Sequence, residues 1–352
     1  DFLHDFTYYS NMDCTYFGTF PSLPHMLTCN EVDMSCTINE WCQQIWNSRK
    51  TESFYNMLRD RNYKANVYTP DANILCGLND PELLSGRLSN VVNSAQDIDI
   101  FYKLLFKTLT KMSGYRMFPD LIKPYFYANI DEYADIVSVK ENKIHHNNHE
   151  FYETLLEKGL TEDKSSNYYI VKHLMGPHLY TTDEAGHYKE DSTLEETAKG
   201  CMVIVEEYLN QLKALGVYED ATIIITADHG GPYDSQVIFY MKEPGETHEV
   251  SPVTDAPVSF LEFLPTIAEA AGGDQSEFGQ SVHDFAAGEQ RERTVWLRMY
   301  DGAYPTVPCY TGDKNGESNV YYGYSYTGGI EALLKQTETG PAKSCTDCPN
   351  SD

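Results

Sequence analysis

Long apolar runs are missing from this sequence. No stretch of its 352 residues approaches the roughly 18 to 20 apolar residues that a membrane-spanning helix needs, and no basic-then-apolar signal peptide opens it. Cations are scarce as well, with 26 Lys and Arg against 53 Asp and Glu. The resulting formal charge of −27 opposes a broad contact with a phosphate backbone, so nucleic acid is excluded as a partner. Internal repeats are absent, and no Gly/Ser-rich or Pro-rich linker divides the chain. The nine cysteines are odd in number and scattered, so no complete disulfide framework can be read from them. Cys345-Thr-Asp-Cys348 has the spacing of a redox pair or half a zinc knuckle, but it sits in a polar tail without a second ligand pair and reads as a local disulfide or idle thiols.

What is present is the composition of a folded protein: 41% apolar, 13% aromatic and 22% charged residues. The 27 tyrosines add amphipathic surface of the kind found near sugars, cell walls and lipid headgroups. Asp1 runs at once into Phe2-Leu3-His4-Asp5-Phe6-Thr7-Tyr8-Tyr9, which reads as the middle of a domain, and further chain is expected to precede it.

Apolar, β-branched runs alternate with helical patterns. Strands are expected at 64–69, 167–172, 221–226 and 237–241, and helices near 98–113 and 194–215. In the last of these helices Met202, Val205, Leu209 and Leu212 recur at helical spacing, and Gly216 stands where a C-cap belongs. This order predicts an α/β fold with a mostly parallel central sheet and helices on both faces. Beyond Gly272 the texture changes: strands at 294–300 and 319–326 and a short helix at 330–337 predict a small antiparallel α+β subdomain. The division is placed at residues 1–285 for the main domain and 286–352 for the subdomain and polar tail, with the boundary near Asp284–Arg293.

Three segments carry candidate chemistry. The first is Ala221-Thr-Ile-Ile-Ile-Thr-Ala-Asp228-His229-Gly230-Gly231, a strand ending in adjacent Asp and His and then two turn glycines. Ligands of open α/β sheets sit at the carboxyl ends of strands, and a carboxylate beside an imidazole suits a divalent transition metal. The second is Thr19-Phe-Pro-Ser-Leu-Pro-His-Met-Leu-Thr28, in which Pro21 sets a helix start and Thr19 lies at its entry. Alone, that pattern is a helix cap; on a metal, the Thr hydroxyl is an activated nucleophile. The third is Tyr169-Ile-Val-Lys-His173-Leu-Met-Gly-Pro-His178, a strand running into a loop with two histidines that could ligate a metal, bind an anion or simply occupy the loop. Two further candidates are weaker: His145, His146 and His149 on one polar helix face, and His248 after the Asp-His motif.

Taken in this order, the segments resemble the alkaline phosphatase superfamily. More narrowly they resemble its sulfatase-like hydrolases and transferases, a group that includes lipoteichoic acid synthases and phosphoethanolamine transferases. Thr19-Phe-Pro-Ser-Leu is similar to the sulfatase pattern Cys-x-Pro-Ser-Arg, which places Thr19 at the nucleophile. Ala227-Asp228-His229-Gly230 is similar to the family's metal-binding Asp-His-Gly, and Met175-Gly-Pro-His178 to a headgroup-binding His loop with His173 as a second substrate histidine. Pro244-Gly245, Ala256-Pro257-Val258-Ser259 and Phe263-Leu-Pro-Thr-Ile267 are similar to the segment that follows the metal ligands. The chain departs from the sulfatase pattern at Thr19, which cannot become formylglycine, and at Leu23, where an Arg is expected, so sulfate-ester hydrolysis is disfavoured. A carboxylate that the family places at the end of its first strand would lie upstream of Asp1.

The resemblance implies one divalent metal ion, zinc or manganese in preference to magnesium, held by Asp228, His229 and Thr19. It implies substrate binding by His173, His178 and, by analogy, His248. The implied activity is transfer of a phosphoryl headgroup (glycerol phosphate or phosphoethanolamine) from a phospholipid through Thr19 to a glycan or lipid acceptor. The implied location is the extracellular face of a cell membrane, with an anchor upstream. Two alternatives stay open: a hydrolase of the same superfamily, and a non-catalytic binding module that keeps the fold.

Overall fold

The structure is a computed structural model that describes residues 2–31, 38–70, 73–76, 81–91, 98–127, 137–139, 148–175, 181–230, 235–298 and 321–339. The chain opens with short strands β1 (Thr7–Tyr9) and β2 (Met12–Asp13) and a helix α1 (Thr19–Thr28). Strands β3 (Tyr63–Tyr68), β4 (Ile98–Ile100), β5 (Val137–Val139), β6 (Asn167–Lys172), β7 (Ile223–Thr226) and β8 (Phe239–Lys242) follow. Then come β9 (Val253–Thr254), β10 (Val258–Ser259), β11 (Glu292–Arg298) and β12 (Tyr321–Thr327).

This is the α/β architecture expected from the alternation of strands and helices, and its main sheet is mixed. Its order is β7-β8-β1-β9, with β8 antiparallel to both neighbours and β1 parallel to β9. Because β7 and β1 both oppose β8, they point the same way, and the shared partner Met241 sets Thr7 level with Ile224. A second, parallel ladder pairs β3 with β6 over six residues. The helix expected near 98–113 begins at Tyr102 instead, because Ile98–Ile100 is drawn into a ladder with Val137–Val139.

The helix Leu194–Leu215 matches its sequence signals at both ends. Thr193 and Glu196 form a reciprocal capping box, and Gly216 closes it at φ +73°. Its apolar residues have two partners: Leu209, Val205 and Leu212 pack with Ile223 and Ile225 of β7, while Ile204 and Val203 pack with Tyr152 and Leu155 of the helix Asn148–Lys158. The opposite face of the sheet meets a larger core that includes Trp41, Trp46, Phe54, Met12, Phe239 and Leu264.

At the C-terminal side β11 and β12 pair antiparallel and lead into the helix Ile330–Thr339. They are tied to the segment that leads into α1. The Trp296 N–H donates to Thr15 O at 2.7 Å, and the Phe17 N–H donates to Trp296 O at 2.8 Å. Buried Arg293 reaches Asp13 Oδ2 at 2.7 Å, where Tyr326 Oη also donates.

Candidate active site

The approach to α1 is strained in a way the helix start requires. Thr15, a β-branched residue, sits at φ +43°, a conformation that costs on the order of 1–3 kcal/mol and persists only where its surroundings over-determine it. Here the two backbone bonds to Trp296 do so. Gly18 at φ +105° and ψ 136° is the N-cap, a geometry open to glycine, and it delivers Thr19 as the first helical residue. The first intrahelical bond runs from Ser22 N–H to Gly18 O at 3.1 Å. The N–H groups of the first turn therefore lack intrahelical partners and, with the helix dipole, favour an anion beside Thr19.

The strand β7 ends two residues before Asp228, and α1 and β7 meet there. Ser22 Oγ donates to the Asp228 carbonyl and fixes the helix against the strand end. Thr19 Oγ1 lies 3.4 Å from His229 Nε2, across 210 residues of sequence. The His229 Nδ1–H donates to Gly230 O at 2.8 Å, which fixes the ring and turns Nε2 toward Thr19. Asp228 Oδ2 stands 3.8 Å from the same Nε2, and Phe17 packs edge-on against the imidazole at 4.9 Å.

His173 follows the end of β6 as His229 follows β7. Its backbone N–H donates to Tyr68 O at 2.8 Å and its Nδ1 is 3.2 Å from Thr69 Oγ1, at the end of β3. Burial holds its pKa below the ordinary histidine value, against the opposing pull of Asp228, so the ring is neutral near pH 7. Thr69 and Ser22 do not stand out in the sequence. Both act on partners more than 100 residues away, and neither lies in a local pattern that signals it.

His178, His145 and His146 lie outside the described residues. His149, on the helix Asn148–Lys158, packs against Tyr188 at 5.1 Å. His248, expected by analogy to bind substrate, makes its contacts away from Thr19 and His229. His248 Nε2 is 2.7 Å from Glu246 Oε1, and its backbone N–H donates to Asp5 Oδ1 at 3.3 Å. Asp5 precedes β1, so this group lies beyond the N-terminal ends of strands whose C-terminal ends point to Asp228. The residues between β7 and His248 carry the chain down β8 to the opposite edge of the sheet.

The residues present suit a divalent cation in chemistry. Asp228 Oδ2 is buried with no hydrogen-bond partner among the described residues, a costly state for a carboxylate oxygen that a cation would relieve. The imidazole Nε2 lies 3.8 Å from it, and the Thr19 hydroxyl 3.4 Å from that nitrogen. Among the described residues no three His, Cys, Asp or Glu gather into a site; the donors beside one another are Asp228 and His229, with the Thr19 hydroxyl next to the imidazole.

No protein-family model matches the sequence, and no curated protein matches it. Solved structures do match. A phosphonate monoester hydrolase from Silicibacter pomeroyi superposes with a TM-score of 0.52 at 15% identity, covering 94% of this chain and 81% of its own. A structure from Bacteroides thetaiotaomicron, described under the metabolism of multiple glycosaminoglycans, gives 0.52 at 13% identity over 93% of this chain and 76% of its own. The lipoteichoic acid synthase LtaP from Listeria monocytogenes gives 0.45 at 12% identity over 95% and 82%. The chain has the fold of the alkaline phosphatase superfamily.

Proposed function

We propose that this chain is the catalytic part of an extracytoplasmic phosphotransferase that moves a phosphoryl headgroup from a phospholipid to a glycan or lipid acceptor of the cell envelope. The observation that carries this reading is the Thr19 hydroxyl, on the first residue of a helix, 3.4 Å from His229 Nε2, which itself lies 3.8 Å from Asp228 Oδ2. In this fold a nucleophile that cannot become formylglycine argues for phosphoryl rather than sulfuryl transfer.

Asp228, His229 and Thr19 would hold a divalent cation, zinc or manganese in preference to magnesium beside an imidazole, which when bound lowers the hydroxyl pKa and offsets phosphoryl charge. The chain's own groups do the rest. The N-terminal N–H groups and dipole of α1 receive the phosphoryl oxygens. Thr19 Oγ1 attacks phosphorus, diacylglycerol leaves, and the headgroup stays on Thr19 until an acceptor hydroxyl displaces it. Neutral His173, steadied by Thr69, orients the headgroup by hydrogen bonding rather than by charge. His178, five residues further along the sequence, is assigned to the same headgroup.

A second reading is hydrolysis, with water resolving the Thr19 adduct, and the similarity to a phosphonate monoester hydrolase at a TM-score of 0.52 favours it. The test supplies zinc or manganese and a fluorescent phospholipid, follows diacylglycerol release, and weighs the tryptic peptide containing Thr19. Transferase action predicts a headgroup adduct on that peptide that accumulates until an acceptor is added; prompt release of free headgroup without acceptor selects the hydrolase. Thr19→Ala should abolish turnover with the fold intact, and Thr19→Ser should retain part of it. Full turnover by Thr19→Ala rejects the nucleophile. If calorimetry finds no metal binding that Asp228→Asn weakens, and no turnover is seen, the chain is a binding module.

A further inference from the structure

Two costs meet at Thr15, four residues before Thr19. The first is conformational. A β-branched side chain at φ +43° is crowded by its own backbone, and the Tyr16 N–H turns back to Cys14 O across it, closing a tight turn of the rarer hand. The second is polar: Thr15 is 4% exposed, and its Oγ1 is buried with no hydrogen-bond partner among the described residues. A glycine would avoid both costs, so neither is a requirement of folding.

What holds Thr15 in this state is the C-terminal hairpin. The outer edge of β11 brackets it, because Trp296 donates its N–H to Thr15 O at 2.7 Å and accepts from the Phe17 N–H at 2.8 Å. Buried Arg293, on the same strand, anchors that edge. Its guanidinium reaches Asp13 Oδ2 at 2.7 Å, Asn11 O at 2.8 Å, Asn11 Oδ1 at 2.6 Å and Gly328 O at 2.7 Å. One planar fork therefore joins the end of β12 to β2 and to the turn before it. Tyr326 Oη, from β12, donates to the same Asp13 oxygen. The chain is fixed at Asn11 and Asp13 on one side of the strained residue and at Phe17 on the other.

The far end of this mount is the reacting pair. Phe17, whose N–H is held by Trp296, packs edge-on against the His229 imidazole at 4.9 Å, and Gly18 after it caps the helix that Thr19 begins. A shift at Thr15 would thus reach both members of the Thr19–His229 contact, which spans 3.4 Å. Backbone strain persists only where its surroundings over-determine it, and it collects at sites whose geometry matters to function. From this juxtaposition we infer that the β11–β12 hairpin is a clamp on the nucleophile, with Thr15 and Arg293 as positioning residues that set Thr19 against His229. This role rests on Thr19 as the nucleophile of the proposed reaction, whereas the clamp itself can be measured without any turnover.

Thr15→Gly separates a positioning role from a merely structural one. Relief of both costs should raise the urea midpoint of unfolding in either case. If Thr15 positions the nucleophile, kcat for diacylglycerol release should nevertheless fall about tenfold to a hundredfold with KM for the phospholipid unchanged, since displacement of a reacting group by about 1 Å has an effect of that order. Hydrogen exchange read by mass spectrometry follows the clamp directly. Arg293→Lys keeps a cation for Asp13 but gives up the fork to Asn11 and Gly328, and the milder Tyr326→Phe removes one neutral donor. In both, the amides of residues 15–20 should exchange faster than in the wild type, by about tenfold or more in Arg293→Lys, while those of the helix Leu194–Leu215 keep their rates. If Arg293→Lys unfolds as a whole, Tyr326→Phe decides. A urea midpoint lowered by Thr15→Gly, full turnover by that variant, or exchange at 15–20 left unchanged by both hairpin substitutions overturns the assignment. Absence of turnover in the wild type rejects the proposed reaction instead, and the exchange rates alone then decide the clamp.

Discussion

Acid should destabilise this protein through a histidine that takes no part in its chemistry. His25 lies in α1, six residues after Thr19, and is fully buried. Its Nδ1–H donates to Asn30 O at 2.7 Å, and Asn30 is itself anchored to Thr28 O, Ser48 Oγ and Thr51 Oγ1. Nε2 is buried with no hydrogen-bond partner among the described residues, and the Tyr16 ring packs edge-on at 5.0 Å. A proton added at Nε2 would create a cation with no acceptor on that side. Burial therefore lowers the pKa to about 4, with Lys50 adding to the effect and the Asn30 carbonyl opposing it. Because the folded value lies below the ordinary 6.5, the unfolded chain binds the proton first. Above pH 6.5 neither state is protonated here; as pH falls from 6.5 to about 4 stability drops, by about 3 kcal/mol in all. Carboxylates titrate in the same range, so the measurement is a difference. Urea unfolding between pH 7 and pH 4 should show the wild type losing about 3 kcal/mol more than His25→Gln, which keeps a donor for Asn30 but cannot titrate. Profiles that run parallel within about 0.5 kcal/mol would refute the reasoning.

Three further expectations concern what holds the site in place. Arg293→Met removes the cation from buried Asp13, whose hydrogen bonds from Ser235 and Tyr326 are neutral, and should cost about 3–5 kcal/mol in denaturant unfolding, since a stranded buried charge is worse than none. Gly200→Ala would gain helix propensity, yet Gly200 is buried and its Cβ would stand 2.2 Å from Asp183 O and 2.7 Å from Thr182 Cγ2, so the melting temperature should fall by an amount matching about 1–3 kcal/mol. Lys172, beneath the Phe151 ring at 4.5 Å, has its pKa lowered by burial to about 8. The unfolded chain then holds the proton longer, so stability should rise by about 2–3 kcal/mol between pH 8 and 10.5, and Lys172→Met should flatten that rise.

Elements whose signals lie within a few residues are legible in the amino-acid sequence itself. The helix Leu194–Leu215, with Thr193 at its start and Gly216 at its end, and the strand Asn167–Lys172 have the bounds their periodicity and caps specify, because capping and amphipathicity are local. The sequence also sets Asp228 and His229 at a strand end, and the order of the motifs is enough to indicate the superfamily whose fold the chain has. Pairing is decided elsewhere. That Phe239–Lys242 runs between β7 and β1 and against both is a matter of which edges meet, not of its own residues. The same descent removes His248 from the site it follows in sequence and gives it to Glu246 and Asp5. Thr69 beside His173, Ser22 on the Asp228 carbonyl and Arg293 on Asp13 join residues 104, 206 and 280 positions apart. Such contacts exist only once burial of the two apolar faces has brought distant strand ends and α1 together, because a polar group entering that interior must find its partner in space rather than along the chain.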